Sequence, residues 1–486
     1  MRNERGGGIG SLLNLILLVI ILFVGYQFWI KELENRLAAT MPTEDSAPPP
    51  PTRTSAEPAA QPPIRLPSSE PGQSHMAAPD PLPETSPHVA LLNGIKQTLE
   101  QGNAAEAQAK LMSLPKEALD DPAAKKFASV LWNNLGVLLA NKGGGAAGVT
   151  AFKTAVSLNP LDPKAHINLT YAMWEIKDPA LNREFLEKTI GLAPDAPFPH
   201  LALADMLYDK DDLAGAATHL EHATQHAPQD PRVQSYLQFV TTKVKHEAKV
   251  EQKFVARESS HFMVKFDGNE DHTLWSRVSE ILEDAYREIG QKFSYYPGKP
   301  ITVVLHSRET FQAATGSPAW ADGLFDMIGG RIKVPTQGAL TDQAWLTRVL
   351  RHEYVHALLH DRVGGRLGAV PTWLNEGLAM QLAGDPWPDL DKVIRGQVTL
   401  INLRSLEGLW MGLPSNVATV AYLEGNSATA YLIDRYGMDK VREVLNELAK
   451  GQPFPFAFQD RLFITYDQFQ QRWIDELNEK LKAGRM

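Results

Sequence analysis

Prolines recur at Pro160, Pro194 and Pro228, leucines at Leu135, Leu169 and Leu203, and large apolar residues at Phe152, Leu186 and Leu220, a spacing of 34 residues within the stretch 89–250. A unit of that length holds two short helices. One such pair cannot bury its apolar face alone, so each must stack on the next, and the chain here is predicted to be an all-α solenoid. Trp132, Leu135, Gly136, Phe152, Ala155 and Pro160 fill the signature positions of the first copy, and Ala204, Ala216 and Ala223 keep the small sites of the third. Helices near Leu91–Leu99 and Ala104–Leu114 are expected to cap the stack.

These positions resemble tetratricopeptide (TPR) repeats. The resemblance implies a concave groove for a protein partner or peptide, with a plain spacer for the following domain as the alternative.

A second constraint lies further on. His352-Glu353-Tyr354-Val355-His356 sits inside an apolar-periodic stretch, Thr341–Asp361, that predicts a helix. Residues i and i+4 of a helix lie one turn apart on one face, so both imidazoles can reach one ion, a zinc-binding geometry. Glu353 points beside the pair, where it can take a proton from a metal-bound water but is poorly placed as a ligand. Asp361-Arg362-Val363-Gly364-Gly365 supplies a stop, and a second helix is expected near Pro371-Thr372-Trp373. Catalytic zinc takes three protein ligands and an open position. Glu376, on the first or second turn of that next helix, is the best third ligand; His360, four residues after His356, competes for the role. A third histidine six residues after the second is excluded, because Arg362 stands there.

The two motifs together resemble the gluzincin metallopeptidases. Thr372-Trp373-Leu374-Asn375-Glu376-Gly377-Leu378-Ala379 looks like the second-motif helix of the aminopeptidase branch and of bacterial peptidase MA-like domains, and the resemblance covers about the last 235 residues. It implies a bound Zn2+ held by His352, His356 and Glu376, with Glu353 as general base. It also implies an oxyanion donor at Tyr422, in a helix expected to open at Ala421–Ser427 and stop at Tyr436-Gly437. Two departures stand out: Met380 occupies the position of an acidic histidine-orienting residue in the thermolysin branch, leaving Asn375 as a contributor, and the amine-binding Gly-Ala-Met-Glu-Asn strand of aminopeptidases is absent. In its place Gly323–Pro335 reads as two short strands about a Gly329-Gly330 turn, an edge on which an extended peptide can pair. His306 ends the apolar run Ile301–Leu305 and is left out of the site.

The N-terminal part is different in kind. Leu12–Trp29 is almost wholly apolar and is followed by charged Lys31-Glu32-Leu33-Glu34, which predicts a transmembrane anchor over 9–30 rather than a cleaved signal peptide. Arg2 and Arg5 would keep residues 1–8 cytoplasmic, placing the bulk of a single-pass inner-membrane protein on the periplasmic side. Residues 31–88, rich in Pro, Ser and Ala, read as a disordered tether. A net charge of -9 with no basic stripe excludes nucleic acid, and the lack of cysteine excludes disulfides and thiolate zinc sites.

The expected fold class is multidomain: an N-terminal transmembrane helix, an all-α TPR solenoid, and an α+β zincin-like metallopeptidase domain at 251–486. The expected function is hydrolysis of peptide bonds in an extended peptide or protein substrate. An inactive TPR scaffold of envelope assemblies and a zinc hydrolase of a non-peptide bond are the alternatives.

Overall fold

The computed structural model describes residues 77–142, 145–268, 272–315, 322–336, 342–384, 400–408 and 415–483, with residues 390, 410 and 413. The segment 1–8, the helix expected over 9–30 and most of the 31–88 tether lie outside the described residues. Among the described residues no helix is long and apolar enough to cross a membrane. The reason is visible in His272–Phe293: its 22 residues suffice for a span, but Arg277, Glu283, Arg287 and Lys292 put charges along it that hydrocarbon does not accept. The single-pass inner-membrane location and the membrane-spanning part of the fold class are corrected accordingly. The α+β part is corrected too, because helices dominate throughout and the only sheet among the described residues has five short strands.

The chain divides into two compact units, the first described over 77–252 and the second from Lys253 onward. The first is all helix: α1 Val89–Glu100, α2 Ala104–Met112, α3 Lys116–Asp120, α4 Pro122–Asn141, α5 Gly145–Leu158, α6 Pro163–Glu175, α7 Arg183–Leu192, α8 Pro197–Asp209, α9 Leu213–Gln225 and α10 Pro231–Val250. Short polar residues set the starts. Asp121 and Asp162 each accept two backbone N–H groups of the following turn, with proline at the first helical position, where its missing N–H costs nothing. Leu135, Leu169 and Leu203, like Phe152, Leu186 and Leu220, are buried between successive helices. Gly136 lets α4 and α5 close: a Cβ there would lie 2.6 Å from the Phe152 ring.

The second unit is built on a sheet of order β1-β2-β3-β5-β4. Its strands are β1 Phe254–Glu258, β2 Phe262–Asp267, β3 Ile301–His306, β4 Leu324–Asp326 and β5 Arg331–Pro335. β2, β3 and β5 run parallel, while β1 and β4 are antiparallel edge strands. Parallel neighbours need a crossover, and α11 (His272–Phe293) supplies it between β2 and β3. After α12 (Arg308–Thr315) and the β4–β5 hairpin come α13 Gln343–Arg362, α14 Thr372–Ala383, α15 Ser415–Tyr436, α16 Met438–Ala449, α17 Phe454–Leu462 and α18 Tyr466–Ala483. α13 packs on α11 and on the β4–β5 hairpin, and α14 lies between α13 and α15. Val264, Val303, Ile332, Leu350, Leu358 and Leu378 belong to one continuous apolar core.

Candidate metal centre

Two helices with different jobs make the site. α13 is started by Asp342, which accepts the Trp345 N–H, and ends where Gly364 and Gly365 take left-handed backbone angles of +63° and +76°. Its middle is buried, so His356 and Glu353 are held by packing on both sides. α14 begins after Pro371 and is pinned at its first turn: Thr372 donates through both N–H and hydroxyl to the Glu407 carbonyl, and the buried Trp373 indole donates to the Tyr466 hydroxyl at 2.7 Å. Glu376 follows one turn later.

The three side chains converge. His352 Nε2 lies 3.2 Å and His356 Nε2 3.5 Å from the same Glu376 oxygen, Oε2. His356 Nδ1 sits 3.1 Å from Asn375 Oδ1 and donates its proton there, so Nε2 is the nitrogen turned to the common point. Asn375 thus fills the orienting place that Met380 cannot. Burial alone would raise the Glu376 carboxyl, but His356 and His352 overcome it and hold the group far below the usual carboxylate range. Burial alone would lower His356, and the Glu376 carboxylate overrides that and raises it. Protons and carboxylate hold this cluster together, and a divalent cation would replace the protons. Two imidazole nitrogens and one carboxylate oxygen, all on rigid helices, fit zinc's catalytic donor set.

Glu353 is not among the converging atoms. It packs instead against Gly323, just before β4, where a Cβ would lie 2.9 Å from Glu353 Oε1 and 2.8 Å from Val349. Only glycine lets the edge strand come this close to the carboxylate. Tyr422 lies on the second turn of α15, which starts at Ser415, six residues before the expected Ala421. Burial, then the charges of Glu376 and Glu353, push its phenol well above the ordinary value, so the hydroxyl stays protonated. Trp410 holds the ring edge-on at 5.0 Å. His360 is elsewhere, edge-on to Phe325 at 5.3 Å, and His306 is buried at the end of β3 between Phe254 and Phe311.

Residues 295–478 match the Peptidase MA superfamily. The matched segment contains His352, Glu353, His356, Glu376 and Tyr422 and supports a peptidase-like function. The chain is also similar to the uncharacterized protein YhcO of Bacillus subtilis (strain 168), 23% identical over 213 residues. That alignment covers 42% of this chain and 66% of YhcO, a little under two thirds of the relative.

Within the matched segment α14 and α15 come close enough for their backbones to meet. A Cβ on Gly377 would collide with Thr429 and lie 2.6 Å from the Gly425 carbonyl oxygen; one on Gly425 would lie 2.9 Å from the Trp373 carbonyl oxygen. Gly377→Ala is therefore expected to push the helices apart and carry Glu376 with them, costing about 1–3 kcal/mol of stability. Chemical denaturation together with a zinc titration checks this, and unchanged values in both would remove the contact from the site's architecture.

Glu424, two residues beyond Tyr422, is fully buried, and its two oxygens accept the Ile401 N–H at 3.1 and 3.0 Å. Burial raises its pKa to about 8. Between the ordinary carboxyl value and about 8 the folded chain keeps a proton that the unfolded chain has released, so stability is full at low pH and falls as pH rises toward 8. Glu424→Gln, which stays neutral, should match the parent at pH ~5 and exceed it at pH ~8 by up to about 4 kcal/mol in denaturant titrations. Parallel pH profiles for the two proteins would exclude this.

Proposed function

We propose that this chain is a zinc-dependent peptidase of gluzincin type that cleaves an extended peptide or protein segment. The observation that carries the reading is the meeting of His352 Nε2 and His356 Nε2 on one oxygen of Glu376, with Glu353 beside them on the same helix. His352, His356 and Glu376 would hold the ion, which when bound acidifies a water and polarises a carbonyl. Glu353 accepts the water's proton and returns it to the leaving amine. Tyr422, kept protonated by its buried acidic surroundings, donates to the oxygen on which negative charge develops. β4, the edge strand against Glu353, would pair its outer side with an extended chain, giving affinity with little demand on side-chain identity.

The helical unit is read as a TPR-like surface for a protein partner or for substrate. Helix starts at Pro163, Pro197 and Pro231 support that reading. The decisive experiment incubates the full chain with a mixed peptide library, with chelator, and with chelator followed by zinc. Cleavage that stops with chelator and returns with zinc is the expected result. If the zinc-loaded chain leaves every peptide intact, the peptidase reading fails.

A further inference from the structure

A second group of potential ligands lies in the helical unit. His222 is on the last turn of α9 and His226 caps it, the His226 N–H donating to the His222 carbonyl at 3.2 Å. That bond keeps the two in i, i+4 register, and their rings stack at 4.7 Å with 19° between planes. Asp195 reaches them from the turn before α8, its Oδ1 lying 3.7 Å from His226 Nε2. One ligand atom from each of Asp195, His222 and His226 lies within 4.8 Å of the others. Bonds of zinc length on tetrahedral directions need ligand atoms about 3.3 Å apart, so a small side-chain adjustment closes the set.

We propose that Asp195, His222 and His226 form a second metal site, one that takes a divalent transition metal of the zinc class.

The turn carrying Asp195 is not left to itself. His200 Nε2–H donates to the Pro194 carbonyl at 3.0 Å, one residue before Asp195, while its Nδ1 accepts from His219 Nδ1–H at 2.9 Å. Its ring stacks on His222 at 3.9 Å, so one imidazole fixes both the turn and the ligand helix. The buried Nδ1 of His222 has no hydrogen-bond partner among the described residues.

Comparison with the preceding repeat separates scaffold from site. His166 Nε2–H donates to the Pro160 carbonyl at 3.1 Å, the same tie 34 positions earlier, so that histidine belongs to the repeat. The positions matching Asp195, His222 and His226 are Leu161, Lys188 and Leu192, which bind no metal. Helix packing thus does not require the three ligands; they are an addition to one copy. Two nitrogens and one oxygen favour zinc, nickel, cobalt or copper over magnesium or calcium, and exposed Asp195 leaves the remaining position to water.

The test titrates the full-length, chelator-treated protein with Zn2+, and in parallel with Co2+ read by its visible absorption. The parent should bind a second equivalent, and a His352→Ala, His356→Ala chain should keep it. His226→Ala, at a partly exposed position, should weaken that equivalent at least about tenfold and Asp195→Asn likewise, with peptidase activity unchanged. His222→Ala should abolish it. A parent that at about 100 μM Zn2+, a level far above typical structural-site needs, binds no equivalent sensitive to His226→Ala and Asp195→Asn overturns the proposal. Failure of the first site is told apart from this, because it would leave a single equivalent sensitive to His226→Ala.

Discussion

Glu353→Gln is expected to lower kcat for peptide hydrolysis by about 10²–10⁴-fold while zinc remains bound. The carboxamide has nearly the same shape, so it should fit the space beside Gly323 that the buried Glu353 side chain fills. What it cannot do is accept a proton. None of the three converging ligand atoms belongs to Glu353, so the metal loses no bond. Steady-state kinetics beside metal analysis separates the two effects. Activity within about twofold of the parent would take Glu353 out of the chemistry, and loss of zinc would make it a ligand instead.

Removing His352 and His356 together should empty the candidate centre, weakening zinc by more than about 100-fold. In a chain that also carries His226→Ala, bound zinc should fall from about one per chain to none. The change also strips Glu376 of the two groups that hold its carboxylate ionised, so the metal-free variant should lose stability above mildly acid pH. Full zinc occupancy in that background would falsify the ligand assignment.

Part of this arrangement can be read from spacing. The i, i+4 histidines fix a helix face, the Gly364-Gly365 pair fixes its end, and Pro371 fixes the entry to the helix of Glu376. Other parts depend on contacts between segments far apart in the chain. The close approach of Gly323 to Glu353 follows from β4 lying outside β5, although β4 comes first in sequence. The helix α15 starts at Ser415, six residues before the expected opening at Ala421, and the glycine in its middle, Gly425, packs against the Trp373 backbone. The burial of Glu424 depends on the distant Ile401 segment that covers it. Asp195 and His226 are brought together by the stacking of helices, a relation that the repeat's own pattern does not contain.

The glycine seam between α14 and α15 has a consequence for how the sequence can drift. Each glycine faces the other helix's main chain, and Gly377 faces the Thr429 side chain as well. A methyl gained at Gly377 still meets the Gly425 carbonyl when Thr429 is trimmed, and one gained at Gly425 meets that of Trp373, so no single side-chain change relieves either lesion. Relief can come only from moving a whole helix, and the helix that moves carries either Glu376 or Tyr422.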